Sequence, residues 1–170
     1  MITAHVLCTG LSLAHTWRRL GYGPVIGVNR AVNFTACDWL VAGDPCTFAR
    51  ITGQPLAGVV SFRDNLTEYV PKRWRVQRLA WEDLHEMPHA KAQWGIEMAC
   101  LLARRLAGRE RLHIAIFGCD RDPAKPADWD GRPAADTRDA DRFQREAAAC
   151  DLTWGWLTAT TPTTITRITP

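Results

Sequence analysis

The feature that most constrains the fold is a helix-to-strand succession in the middle of the chain. Apolar side chains recur at helical spacing over residues 91–107, Gly108 ends that segment, and a continuous apolar run fills residues 112–117. The run stops at Gly118-Cys119-Asp120. In α/β sheets, a buried strand that ends in Gly-x-Asp brings backbone and a carboxylate to the crevice beyond the strand carboxyl ends. The succession therefore predicts an α/β sheet with a small-molecule site.

Three earlier apolar runs also end in polar residues. The run at about residues 4–8 is followed by Thr9-Gly10-Leu11-Ser12, with Ser12 as a candidate helix N-cap. The run at about 24–29 ends at Asn29-Arg30, and the run at about 38–43 leads into Gly43-Asp44. Since parallel strands present their carboxyl ends at one edge of a sheet, these residues are expected to share a crevice.

The remaining pattern predicts one three-layer α/β domain over residues 1–170, with a mostly parallel sheet of about six or seven strands. Weaker alternation marks 74–79 and 163–168 as edge strands, whereas continuous apolar runs are typical of central strands. Strands are predicted at about 4–8, 24–29, 38–43, 57–62, 74–79, 112–118 and 163–168. Helices are predicted at 12–20, 91–107 and 139–152.

Composition excludes several classes of protein. The formal charge of the 170-residue chain is only +3, with acids and bases interspersed, which disfavours binding to polymeric nucleic acid. No apolar run is long enough to span a bilayer and no leader pattern begins the chain, so a cytoplasmic protein without a membrane partner is expected. The six cysteines are scattered and form no Cys-x-x-Cys pair, which favours reduced core thiols over a disulfide or zinc framework.

Four segments, in this order, are similar to motifs of one Rossmann-like superfamily. They are Thr9–Leu13, Val25–Asn29, Asp38–Asp44 and Ile114–Asp120. The superfamily contains the MptE-like 6-hydroxymethylpterin diphosphokinases and the bacterial CMP-sialic acid-dependent sialyltransferases. The later Asp128-Trp129-Asp130-Gly131 segment and the terminal strand resemble small bacteriophage-encoded members. The resemblance implies a Rossmann-like domain that binds a nucleotide.

The resemblance to the sialyltransferase branch implies that Thr9, Gly10, Ser12 and Asn29 contact the nucleotide. A third element of that branch corresponds to Gln93-Trp94-Gly95, where Gly95 fits and Trp94 replaces a hydroxyl with a ring able to stack on a base. The branch also requires a histidine downstream of the Gly-x-Asp strand.

No histidine follows His113, which argues against sialyl transfer. The resemblance to the diphosphokinase branch implies Mg²⁺ held by carboxylates. Asp44 and Asp120 are the favoured ligands, and Asp130 is the next candidate.

Each candidate also has an ordinary structural interpretation. The segment from Gly10 to Ser12 either cradles a phosphate or is a plain strand-to-helix turn, and Asn29 either binds a ribose or base or is an asparagine tolerated in a turn. Arg30 is either a phosphate partner or a solvated charge. Gly118 is expected to present its backbone to the ligand crevice at the end of its strand.

Residues 121–139 form a predicted long loop. Trp129 within it either stacks on a ligand ring, as part of a lid, or packs on the core.

Two functions follow from these expectations. The first is a binding protein that captures a nucleotide-type phosphorylated small molecule, such as a phage protein that sequesters a host nucleotide immune signal in the host cytosol. The second is a Mg²⁺-dependent nucleotidyl, diphosphoryl or glycosyl transferase. The missing histidine favours binding and the aspartates favour transfer, while a homo-oligomer is compatible with either.

Overall fold

The computed structural model describes residues 1–84, 95–120 and 140–170, and its centre is one sheet of seven parallel strands. The α/β class, the three-layer Rossmann-like arrangement and the parallel sheet are confirmed. The strands are β1 (Ile2–Leu7), β2 (Val25–Val28), β3 (Trp39–Val41), β4 (Gly58–Ser61), β5 (Gln77–Ala80), β6 (Leu112–Phe117) and β7 (Thr163–Ile168). All seven overlap the predicted segments, and β5 and β7 are edge strands as expected.

The helices differ more from the predictions. They are α1 (Leu13–Thr16), α2 (Pro45–Ala49), α3 (Arg63–Glu68), α4 (Gly95–Ala107) and α5 (Ala140–Thr160). The first predicted helix is split, because α1 passes into a 3-10 turn over Trp17–Arg19. Helices α2 and α3 were not predicted, because they are too short to show an apolar period. The last helix continues eight residues beyond its expected end at 152.

Strand order places β1 at the point where the sheet changes direction. The order is β5-β4-β3-β2-β1-β6-β7, so β2 follows β1 on one side while β6 lies on its other side. Right-handed crossovers therefore put the first connections on one face of the sheet and α4 and α5 on the other. The gap between the β1 and β6 ends is a topological switch point, where ligands of such sheets bind.

Two apolar cores cover the two faces. One packs α4 and α5 against side chains such as Val6, Val28, Val41 and Ile114. The other packs the short helices against Leu7, Leu40, Val59 and Phe117. Because both faces are buried, the central strands are mostly apolar, which explains why their sequence shows continuous runs rather than alternation.

The prediction that the cysteines are core residues is largely confirmed, and several tryptophans also contribute to the core. Trp39 and Trp74 are buried, and Trp154 is half-buried. All six cysteines lie within the described residues and none forms a disulfide; four are buried, whereas Cys46 is exposed and Cys119 is half-buried. Among the described helices, none has both the length and the apolar character needed to cross a bilayer.

Candidate functional site

A serine in the loop after β1 is hydrogen-bonded to an aspartate in the loop after β6, and these two loops meet at the switch point. The Ser12 backbone N–H donates to Asp120 Oδ2 at 2.8 Å, and the Ser12 hydroxyl donates to Asp120 Oδ1 at 2.5 Å. The Gly10 N–H donates to the Gly118 carbonyl at 2.9 Å. Ser12 is buried and Asp120 is exposed, so one side of the carboxylate is held by the protein and the other faces solvent.

Glycines make this close approach of the loops feasible. A Cβ on Gly10 would lie 2.5 Å from both Asp120 Oδ2 and the Gly118 carbonyl oxygen. Gly118 has a φ of 65°, in the left-handed region that favours glycine, and a Cβ there would lie 2.6 Å from the Cys8 carbonyl oxygen. Both glycines are therefore required by the backbone geometry of the switch point.

The Ser12 amide, predicted to cradle a phosphate, is already occupied by a carboxylate. The Asp120 carboxylate accepts hydrogen bonds from both the N–H and the hydroxyl of Ser12. A phosphate on the same amide would have to displace Asp120, and the two anions would repel each other. Asp120 retains lone pairs on its open side, where it can accept hydrogen bonds from ligand hydroxyl or amine groups.

Asn29 stands at the carboxyl end of the neighbouring strand β2 in an uncommon conformation. Its φ is 52°, and it is the only residue other than glycine with positive φ in the described part of the chain. Asparagine adopts this region more readily than most residues, but such conformations concentrate at functional sites. Asn29 and Arg30, both half-buried, open a 3-10 turn over Asn29–Asn33.

The first residue of α4 packs directly on the end of β2. A Cβ on Gly95 would lie 2.5 Å from Val28 Cγ1, so no larger residue fits without a shift. The amino end of this 13-residue helix thus lies beside the strand that carries Asn29. The positive end of the helix dipole favours negative charge on this side of the crevice.

Three neighbouring strands together frame the crevice. The Thr9-Gly10 turn follows β1, with Asn29 after β2 on one side and Asp120 after β6 on the other. Thr9 and Gly10 are half-buried. With strands about 4.8 Å apart, the ends of β2 and β6, which precede Asn29 and Asp120, are separated by two spacings, roughly 10 Å.

Asp44 lies apart from this group. The strand β3 that precedes it is separated from β6 by β2 and β1, three spacings or roughly 14 Å. Its side chain caps α2, since Asp44 Oδ1 accepts from the Cys46 N–H at 2.9 Å. The sheet order therefore does not bring Asp44 and Asp120 to one ion. Within the described ranges, no group of three or more His, Cys, Asp or Glu side chains is arranged to hold a metal.

Several predicted residues lie outside the described residues. These are Trp94, Trp129, Asp130 and the whole segment 121–139, predicted as a lid.

One buried side chain near the end of β3 carried no signal in the sequence. Asn65, buried in α3, donates from Nδ2 to the Gly43 carbonyl at 2.7 Å and thereby fixes the turn after β3. Because α3 itself has no recognisable period, nothing marked Asn65 in advance.

Comparison of the whole chain with family models, with curated proteins and with solved structures finds no match.

Proposed function

We propose that this protein captures a nucleotide-type phosphorylated small molecule in the crevice at the β1–β6 switch point. The single observation that carries the proposal is the clustering of the Gly10 turn, the Asp120 carboxylate and the positive-φ Asn29 at three adjacent strand ends. In parallel α/β sheets, ligands bind beyond the strand carboxyl ends where the strand order reverses.

The charges of the crevice orient the ligand in this proposal. Asp120 holds negative charge at the β6 side, so the ligand turns sugar hydroxyls towards it and keeps its phosphate away. The phosphate faces the β2 side, where the amino end of α4 contributes positive potential and Arg30 follows Asn29. Asn29 then pairs with the ribose or base through its amide.

Capture is favoured over Mg²⁺-dependent transfer by the placement of the carboxylates. Asp44 is engaged as the cap of α2 and stands two strands from the switch point. The chain also contains no histidine after His113, whereas the sialyltransferase branch that it resembles uses one as a base. As a phage-type member of that superfamily, the protein would sequester a host nucleotide signal without altering it.

The binding test uses Asn29→Gly, because glycine keeps the positive φ and removes only the side chain. Asn29→Ala is less informative, since alanine is strained at φ 52° and would lower stability as well. Calorimetry with a panel of nucleoside mono-, di- and cyclic phosphates should identify a ligand of the wild-type protein. Loss of the Asn29 hydrogen bonds costs about 1–3 kcal/mol, so the affinity of the variant for this ligand should be roughly 5- to 150-fold lower.

The matched control is Gln54→Gly, which removes an exposed amide from the loop before the amino end of β4, remote from the crevice. This variant should bind as the wild type does. Equal affinities of the wild-type and Asn29→Gly proteins would remove Asn29 from the site.

A second experiment separates capture from turnover. The protein is saturated with the nucleotide identified by calorimetry, with and without Mg²⁺, and denatured by heat, and the released material is chromatographed. Capture predicts one unaltered nucleotide per site. A chemically altered nucleotide in molar excess over protein would contradict it and support a transferase.

A further inference from the structure

Two cysteines lie side by side beneath the switch point. Cys8 directly follows β1 and Cys119 lies two residues beyond β6. Both belong to the apolar face covered by α4 and α5, where Cys8 is part of the core and Cys119 packs against it. Their thiols are hydrogen-bonded to each other.

The backbone geometry suits a covalent link between them. Strands β1 and β6 are adjacent and parallel, and Cys8 and Cys119 lie one and two residues beyond their last pair, Leu7 and Phe117. The Cys8 N–H donates to the Phe117 carbonyl at 2.8 Å, and a Cβ on Gly118 would lie 2.6 Å from the Cys8 carbonyl oxygen, so the Cys8 backbone contacts the two residues that precede Cys119. Disulfides need Cα atoms about 4.4–6.8 Å apart, a range that such direct backbone contact allows.

The two thiols differ in access to solvent. Cys119 is half-buried at the edge of the crevice, whereas Cys8 is only 5% exposed. A reagent in solution therefore reaches Cys119 first, and Cys8 is placed to react only with its neighbour. Cys100 and Cys150, on α4 and α5, lie deeper, with 0% and 4% exposure.

We propose that Cys8 and Cys119 form a dithiol site that a low-molecular-weight disulfide, such as oxidised glutathione, converts into an intramolecular disulfide. The Cys119 thiolate attacks one glutathione sulfur, which forms a mixed disulfide and releases one glutathione thiolate. The Cys8 thiol then loses its proton and attacks Cys119 Sγ, which forms the Cys8–Cys119 bond and releases the second glutathione. In total, two protein thiols are oxidised and one glutathione disulfide is reduced to two thiols.

The environment of Cys8 makes the second step the slow one. Donation of the Cys8 S–H to Cys119 and burial both raise the pKa of the Cys8 thiol well above its usual value. Little thiolate is present at neutral pH, so the mixed disulfide persists and resolves faster as the pH rises, by about tenfold per pH unit below that pKa. This chemistry does not depend on the ligand proposed above.

The experiment monitors the intact mass of the native protein during incubation with oxidised glutathione. Cys46→Ser is the working background, because Cys46 is exposed and would form its own mixed disulfide. After acid quenching, alkylation and proteolysis, this protein should have lost two hydrogens, retain no glutathione, and yield a peptide that links Cys8 to Cys119. Adding Cys8→Ser to the background should arrest the reaction with one glutathionyl group on Cys119.

Three results would overturn the proposal. They are a linked peptide joining Cys100 to Cys150 instead, a Cys8–Cys119 link that appears only in denaturant, and glutathionylated Cys119 that never resolves although Cys8 is present. The mapping uses the background protein without change to either thiol, so the test stands even if Cys8→Ser fails to fold.

Discussion

Replacing Gly10 by alanine tests the close approach of the two loops at the switch point. The new Cβ would lie 2.5 Å from Asp120 Oδ2 and 2.5 Å from the Gly118 carbonyl oxygen, far inside ordinary contact. The Asp120 side chain can swing aside. The Gly118 oxygen is backbone and accepts the Gly10 N–H at 2.9 Å, so it yields only if β1 and β6 separate at their ends.

The cost of the Gly10→Ala substitution follows from what must move. If Asp120 retreats, Ser12 loses two hydrogen bonds to a carboxylate, each contributing about 1.5–3 kcal/mol, reduced because water reaches the exposed carboxylate. Overpacking against Gly118 adds about 1–3 kcal/mol. The expected loss is about 2–4 kcal/mol of unfolding free energy, which for a chain of this length lowers Tm by roughly 4–16 °C.

Gly155→Ala is the matched control, because the same methyl group is added where nothing lies within 4 Å. Gly155 lies inside α5, and alanine there should stabilise the protein by up to about 1 kcal/mol through helix propensity. Urea unfolding followed by circular dichroism measures both variants. The proposed geometry fails if Gly10→Ala stays within about 0.5 kcal/mol of the wild type while Gly155→Ala gains stability.

Two further predictions concern buried polar groups. Burial lowers the pKa of His5 below 6.5, the nearby His113 lowers it further, and the backbone of Gly21 and Tyr22 partly opposes the shift, so the free energy of unfolding should fall as the pH drops below about 6.5. The free energy of unfolding should change by at most about 1.4 kcal/mol per pH unit. This pH dependence should vanish in His5→Leu and persist in the exposed-site control His15→Gln. The same pH dependence in both variants would contradict the assignment to His5. Arg104 is 9% exposed and donates to the Thr163 hydroxyl and to two backbone carbonyls after α4. Arg104→Lys, which lacks the guanidinium fork, should lose about 1–3 kcal/mol in urea unfolding, whereas equal stability would show the fork to be dispensable.

Local pattern was sufficient to predict the sheet. Runs such as Val25–Val28 and Ile114–Phe117 are apolar throughout because each strand is covered on both faces, and Thr163–Ile168 alternates because it lies at the edge. Periodicity failed where elements were short. Neither α2 nor α3 spans two helical turns, so no repeat of apolar residues could develop.

The sequence by itself determined which residues end the strands, and with them Gly10, Asn29 and Asp120 as candidates. It did not determine which strand ends are neighbours, because strand order depends on the face against which α4 buries its apolar stripe. Tertiary structure decided that β6 returns beside β1, joining Ser12 to Asp120 across 108 residues and placing Cys8 against Cys119. The same order kept Asp44 away from Asp120, although both follow strands with the same kind of ending. Contacts between distant segments arise from packing two layers of helices on one sheet, and no local pattern of side chains records them.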